Sequence, residues 1–599
     1  MFYVSPGVYT RERDISTRIA ALSTTIAGIV GYSKKGSLAL RLITNAQQFI
    51  TEYGEPVAGN YFHYSALAYL EQGNQLYCRR IINGALYPGV SVVSQASDDD
   101  STAFATGRTT TDYYADSFVS GEIFSIFAKD PGDWGDRIGI IIKNVKNAYK
   151  VQHGAVAYNC LKDHTSTAVI EPGAAGGADY WEATSDAVTG VVDWSSSSKE
   201  YTQTETSAFT FEIDVYFTDI DGVTTKVENW LVSRKTKKDG YGKQLYLEDR
   251  INDVSKYLVV ADSTTTSNTL PKANSTAVLL GGGTDGSVPS SSDIAGTVGN
   301  LDGWFTFYNP DDVDVRILIG GCFTTDHDDD DMVVIQQAMK TVAESRKDCV
   351  ALFDVPEADS RNVSYAVSYR EDTQNFDSSY TALFTGWPRI NDAYNDKKVY
   401  VPPSGYAAAA FAYNDYIRNV WNAPAGHRRG KVNSLGVNVT YTQGERNTLY
   451  AAGLNPIQLF RGRGTVIWGQ KTQQKRASTL DRLNVRRLLI TIEKAIAIAL
   501  EDFVFESNDE FTRFQIVSLI ETYLDRLSAQ GAFQTESGDD GFLILCDDTN
   551  NTAAVFAANE LHVDIFVKPI SAAEFIQLQT IITPAGASFE ELIAQGVQL

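Results

Sequence analysis

Between residues 444 and 506 the chain changes its hydrophobic period three times, and each change carries its own punctuation. Residues 445–452 read as a short helix that stops before Asn455-Pro456, because a residue preceding proline is pushed out of the helical region. Gly462 and Gly464 then break the chain, and Thr465, Val466, Ile467 and Trp468 form a strand ending at Gly469. Residues 483–503 form a long helix, with Val485, Leu488, Leu489, Ile492, Ala495, Ile496 and Ala499 at helical spacing. Arg482, Arg486 and Arg487 load the first half of that helix with positive charge, the end at which the helix dipole disfavours it. Either acidic groups compensate, the stretch after Leu500 being the nearest, or these arginines lie on a partner.

A chain of 599 residues is too long for one hydrophobic core, so several domains are expected. Its 43% hydrophobic and 21% charged residues are those of a globular protein. The net charge of −23 disfavours nucleic acid as a partner of the whole surface. The charge is uneven, however. Residues 426–494 hold 13 Lys/Arg against Glu445, Asp481 and Glu493, a local +10 that leaves −33 on the rest. This reads either as arginines spread over unrelated faces or as one basic surface for an acidic partner. The five cysteines are scattered and form no CxxC, which implies neither a disulfide framework nor a zinc site and fits a reducing compartment. The N-terminus carries no apolar signal segment, and no apolar run reaches the ~18–20 residues of a membrane span, so assembly in cytoplasm without membrane insertion is expected.

Taken in order, residues 1–18 read as an arm: Pro6-Gly7 breaks it, charges solvate it, and Phe2, Val4 and Val8 are apolar points for pairing with a strand edge. Residues 19–94 read as the first part of a core, with strand 24–30 closed by Gly31, helices 45–53 and 61–71, and strand 76–82. From 95 to 315 the composition shifts to Ser, Thr, Asp and Gly around short strands at 121–128, 138–143, 209–217, 226–232, 257–261 and 277–280, as in mostly β outer domains inserted into a core. In 209–217, Phe209, Phe211, Ile213, Val215 and Phe217 alternate onto one side. An α/β domain follows at 316–425, with a strand from Arg316, helix 328–343, strands 349–354 and 398–401 and helix 405–421. Residues 426–583 read as a C-terminal core domain, including helix 511–527, with Phe511, Phe514, Val517, Leu519, Ile520, Tyr523, Leu524 and Leu527 on its apolar face, and strands 542–546, 561–567 and 575–582. Residues 584–599 have no core of their own. The fold class expected is therefore α/β (α+β) and multidomain, its core built from N- and C-terminal portions with β domains between them.

Chemistry is sparse. GGGTDG at 281–286 follows a strand but lacks the Lys-Ser/Thr of a phosphate loop, and a glycine turn is the better reading. The run Asp326-His327-Asp328-Asp329-Asp330-Asp331 suits a cation, but it also suits the exposed N–H groups of a helix start, which is preferred. His63, His153, His164, His427 and His562 have no spaced partner, and neither HExxH nor GxSxG occurs. RGRG at 461–464 and HRRGK at 427–431 suit phosphate backbones, yet the aromatic interleaving of a single-strand platform is missing near HRRGK. No catalytic residue, cofactor or metal is expected.

NPIQLFRGRGTVIWGQKT, followed by DRLNVRRLLITIEKAI and FVFESND, resembles the C-terminal core of sheath proteins from contractile bacteriophage (myovirus) tails. SPGVYTRERD at 5–14 resembles their N-terminus, and CDDTNNTAAVFAANELHVDIFVKP at 546–569 their late core. The resemblance covers roughly the first 90 and the last 250 residues; the middle carries no comparable mark. It implies a structural subunit, not an enzyme, that stacks with itself as hexameric rings around a tail tube. The sheath then contracts to drive the tube through the host envelope for genome ejection. Implied partners are further copies, the tube protein, and baseplate and terminator proteins, with no nucleic acid, in a virion assembled in host cytoplasm. A bacteriocin-type tail or another contractile injection system is the nearest alternative, and a cytoplasmic α/β enzyme a distant one. The family's linking device is strand exchange through terminal arms, which maps here onto Phe2, Val4 and Val8 and onto Phe589, Leu592 and Ile593. For the basic stretch, Arg428, Arg429, Lys471, Lys475 and Arg476 are the candidates for facing the tube.

Overall fold

The computed structural model describes residues 19, 24–94, 102–103, 122–146, 149–160, 164–165, 167, 170–175, 181–184, 192–194, 200–201, 209–239, 241–263, 269–535 and 539–578. The chain divides into two compact units: Ser23–Ile417 with Pro424–Asp481, and Met1–Leu22 with Arg418–Ala423 and Arg482–Leu599.

A nine-stranded sheet organises the larger unit. Its strands are β1 (Ala27–Tyr32), β2 (Arg41–Ile43), β3 (Leu76–Ile81), β4 (Ile317–Ile319), β5 (Val350–Asp354), β6 (Thr381–Thr385), β7 (Lys431–Val432), β8 (Leu454–Phe460) and β9 (Gly464–Ile467). Across the sheet they run β2-β3-β1-β4-β5-β6-β8-β9-β7. The six from β3 to β8 are parallel, while β2 at one edge and β9 and β7 at the other are antiparallel to their neighbours. Parallel strands are covered on both faces, which is why β5 reads as an apolar run, VALF, before Asp354 and is buried throughout. The longer helices of this unit are α1 (Ala46–Tyr53), α2 (Tyr61–Leu70), α3 (Asp329–Arg346), α4 (Pro403–Ile417) and α5 (Gln443–Ala451). Side chains cap their starts. Asn45 accepts from the Gln48 amide at 2.8 Å, and Asp328 with Asp331 and Thr442 with Glu445 form reciprocal capping boxes. The acidic run at 326–331 is thus a helix start.

Several elements depart from the sequence expectation. β1 does not close at Gly31 but runs on to Tyr32; Gly31 is there for spacing, since a Cβ would stand 2.5 Å from the Phe62 ring. Neither β2, β6 nor β8 was legible. β8 contains Pro456, which a central strand resists. Here Pro456 marks the handover from the parallel neighbour β6, which ends its pairing at Thr385↔Pro456, to the antiparallel β9, which begins at Ile457↔Ile467. Helix 405–421 is α4 and ends at Ile417. GGGTDG is not a tight turn: it runs alongside residues 83–89, with isolated bridges Gly89↔Gly281, Leu86↔Thr284 and Asn83↔Ser287 and with Gly282 and Gly286 at φ of 81° and 71°. The sheet also crosses the expected boundary at 425/426, because β6 pairs directly with β8.

Between β3 and β4 the regular structure of the described residues is mostly β, as the composition suggests. Thr210–Thr218 pairs antiparallel with both Thr224–Ser233 and Ile138–Lys146, and Glu122–Ala128 with both Gly89–Val93 and Leu258–Asp262. Phe209, Phe211, Ile213 and Val215 are buried and Phe217 half-buried, as their alternation predicts. Phe211 stacks on Phe124 at 5.7 Å. Tyr149–His153, Val156–Cys160 and Trp181–Thr184 make a separate small sheet over Val151, Cys160 and Trp181.

The main described elements of the smaller unit are α6 (Leu483–Leu500), α7 (Glu510–Ala529) and an antiparallel pair, β10 (Phe542–Leu545) and β11 (Asp564–Val567). Leu488, Ile492 and Ile496 of α6 share a core with Ile516, Ile520 and Leu524 of α7. The buried stripe of α7 is 512, 516, 519, 520, 523, 524 and 527, so Phe511 and Phe514, read as core, are exposed. They lie off the 3.6-residue stripe that the other positions share. In the tail, Leu561, Val563, Ile565 and Val567 turn inward and His562, Asp564 and Lys568 outward, as expected. The strand expected at 575–582 does not form over its described part, 575–578: Phe575, Ile576 and Leu578 are exposed. Residues 579–582 lie outside the described residues.

Candidate interaction surface

The direction of strand succession reverses between β1 and β4, the point at which doubly wound sheets open a ligand crevice beyond the carboxyl ends of their strands. Here that position is filled from within. Arg80, at the end of β3, is buried and donates to the carbonyls of Ser33 (2.6 Å), Gly36 (2.9 Å), Lys34 (2.9 Å) and Pro131 (2.8 Å). Asn60 donates to the Tyr32 carbonyl at 2.7 Å and accepts from the Phe62 amide, which brings α2 against the end of β1. Nearby His63 makes a contact of 3.3 Å with the Tyr53 carbonyl, and burial lowers its pKa to about 4, so it is a neutral core residue. His153 faces Glu171 and His562 faces Glu560, each at 2.9 Å. His327, which the sequence reading passed over as a separate group, takes a backbone hydrogen bond from Thr324 at 3.1 Å. Among the described residues no group of three His, Cys, Asp or Glu is placed to hold a metal ion. Nor is any helix among them long and apolar enough to cross a membrane.

The basic stretch is divided between places that its sequence runs together. Arg428 is exposed and Arg429 half-buried on the short turn Gly426–Arg429, next to the outermost strand β7. Arg461 and Arg463 are exposed in the β8–β9 turn, where Gly462 and Gly464 supply φ of 74° and 83°. Lys471, Lys475 and Arg476 follow β9 and lie beside the N-terminal ends of β6 and β8. There the Lys471 amide donates to Asn455 at 2.6 Å, the Gln473 amide to Thr381 at 2.9 Å and the Lys475 amide to Asp377 at 2.8 Å. Lys471 is half-buried with its ammonium 4.7 Å from the centre of the Tyr450 ring, and Lys475 also donates to Asn375. Lys475 and Arg476 are exposed.

Arg482, Arg486 and Arg487 belong to the smaller unit. Arg482 pairs with Glu574 at 2.8 Å. Arg486 and Arg487 are buried, and Glu501 lies about 21 Å further along the helix axis than Arg487 at 1.5 Å per residue. Pairing along the helix with Glu501 is therefore out of reach, and burial leaves little of either guanidinium to present to a partner surface. The arm residues Phe2, Val4, Val8, Phe589, Leu592 and Ile593 lie outside the described residues. Among the described residues β10 and β11 form a two-stranded sheet, with Leu543 and Phe566 exposed.

One association was invisible in sequence. His427, Phe460 and Trp468 form a ring cluster, with centroids 5.0 Å (His427–Phe460), 5.2 Å (His427–Trp468) and 4.7 Å (Phe460–Trp468) apart. Partial burial, then the charges of Arg463 and Lys431, hold the His427 pKa below its ordinary value. The aromatic groups missing around HRRGK in sequence are therefore supplied by the fold.

The family model for the phage tail sheath protein central domain matches residues 296–473. The chain is 32% identical over 342 residues to a tail sheath protein of Vibrio phage KVP40, covering 54% of this chain and 49% of that one, so this match spans about half of the relative. It is 24% identical over 679 residues to the tail sheath protein of Enterobacteria phage T4, covering 99% of each. Among solved structures, the helical sheath of the anti-feeding prophage in its contracted state shares the fold, with a TM-score of 0.50 at 14% identity over 97% of this chain and 99% of that one.

Proposed function

We infer the function from a family membership: this chain is a phage tail sheath protein, a structural subunit of the contractile tail sheath of a phage or related injection system, and not an enzyme. The observation that carries this reading is the match to a tail sheath protein from end to end, 99% of both chains. Beyond it, we propose that copies stack as hexameric rings around a tail tube, within a virion tail that also holds baseplate and terminator proteins. Contraction then drives the tube through the host envelope for genome ejection. Such a sheath stores energy in a metastable extended packing and releases it as subunits repack, with no cofactor. The arms at 1–18 and 584–599 would add strands to a neighbour's sheet, and the β10–β11 sheet, two-stranded among the described residues, is the edge that suits them. The β segment at 95–315 would face outward. Arg428, Arg429, Lys471, Lys475 and Arg476 are proposed to face the tube; Lys475 and Arg476, exposed on an anchored segment, are the best placed. Purified protein imaged in negative stain tests the sheath reading. Long regular tubes are expected, and a preparation that stays monomeric at every concentration overturns it.

A further inference from the structure

The connection from α6 to α7 presents aromatic side chains to water. Val504, Phe505, Phe511 and Phe514 are all exposed, and Phe505 is fully so, on a backbone with φ of 74°. A bulky residue in the left-handed region is a genuine outlier, and an exposed ring contributes no packing to offset that strain. Around these rings Glu501, Asp502, Glu506, Asp509 and Glu510 are exposed, and the first cation, Arg513, is engaged by Asp548 at 2.9 Å. This is an acidic surface with an apolar centre.

The β8–β9 hairpin has the opposite charge and the same build. Its rings are the His427, Phe460 and Trp468 cluster, with Trp468 exposed and the Arg446 guanidinium 5.5 Å from the Phe460 ring centre. Arg461 and Arg463 stand exposed at its tip.

We propose that the α6–α7 connection of one copy docks on the β8–β9 hairpin of a second copy, Phe505 against the Trp468 and Phe460 rings and Asp502 and Glu506 against Arg461 and Arg463. The proposal rests on the reading that copies of this chain assemble with one another. Charge complementarity selects a second copy as occupant. A chain of net −23 repels its own kind, and a basic hairpin matched to an acidic loop, both carried at equal stoichiometry, reverses that repulsion locally. Two different patches meeting head to tail form a heterologous contact, the kind that propagates into rings or helices. It uses none of the five tube-facing candidates.

Charge swaps in the full-length protein test it, read as the critical concentration for polymerisation by light scattering and negative stain. Arg461→Glu with Arg463→Glu, or Asp502→Lys with Glu506→Lys, should each raise that concentration about tenfold or more. The two pairs combined should bring it back to within about twofold of the parent. Phe505→Ser, a change at a fully exposed side chain, should raise it without shifting the unfolding temperature. Rescue by the combined swap supports the docking. One-sided variants that polymerise like the parent, or a combined variant no better than either half, overturn it and leave the sheath reading intact. A parent that never polymerises overturns both.

Discussion

Asp354, at the end of β5, is fully buried, and its two oxygens accept from the amide and the hydroxyl of Ser404 in the first turn of α4, both at 2.6 Å. Burial pushes its pKa up to about 7 against the opposing pull of those two bonds. In the unfolded chain the same group titrates near ~3.9. Below that pH the carboxyl is neutral in both states and costs nothing. Between there and about 7 the unfolded chain has lost the proton that the folded chain keeps, so stability falls as pH rises through this window. Asp354→Asn keeps the shape and can still accept from the Ser404 amide. Thermal unfolding should therefore show the variant gaining on the parent from pH 5 to pH 8; an unchanged difference would remove the titration argument. Arg80 is the converse case, a buried cation satisfied by four carbonyls. Nothing in GYSKKG announced that its carbonyls would converge on one guanidinium, because the partners come from segments far apart in sequence.

At the scale of elements, the segment 471–476 shows how a loop is made rigid enough to present charge. Gln473 is buried and donates to Gln374, which donates to Gln336, and Gln336 donates to the Asp354 carbonyl at 2.9 Å. Gln374 closes a π-helical turn, Tyr369–Gln374, and the Tyr369 hydroxyl also donates to Gln336 at 3.1 Å. A chain of buried amides is costly to leave half satisfied, so the backbone on either side of Gln473 is held in one place. Lys475→Glu with Arg476→Glu changes exposed residues only. It should weaken assembly on tail tubes while sparing tube-free polymers, measured by co-sedimentation with and without tubes. The loss should be greater at low salt, since exposed pairs contribute about 0–1 kcal/mol each and are screened beyond a Debye length of roughly 8 Å. Equal loss of both assemblies would place these residues between subunits instead. Lys471 is left out of the test because its ammonium packs on Tyr450, and reversal there would cost packing as well.

For the whole molecule, the two units differ in the extent of their sheets among the described residues. The nine-stranded sheet is covered by helices and closed by short antiparallel edges, whereas the described β10 and β11 form a sheet of two strands, marginal alone and stabilised by packing against α7. Removing residues 588–599 should leave a folded monomer that does not polymerise, read by circular dichroism and negative stain together. Normal tubes would sink the linking role of this arm, and an unfolded product would mean that the segment belongs to its own core.

Local signals were enough for much of this protein. The acidic helix start at Asp328, the alternation in 209–217 and 561–567, and the apolar run of β5 were all legible, because each depends on residues within one or two turns of one another, whereas the caps Asn45 and Thr442 were not read as caps. The family marks at the two ends were legible for the same reason. Tertiary structure decided the rest. Pro456 could join a strand only because two different neighbours meet at it; Gly31 reads as a stop until the Phe62 ring stands over it. Of the 13 cations of 426–494, a single stretch in sequence, two stand at an exposed hairpin tip, three lie on an anchored segment and two are buried arginines. Charge count is a property of the chain, but which charges reach water depends on long-range pairing, and that pairing is set by packing between segments that a linear reading never places side by side.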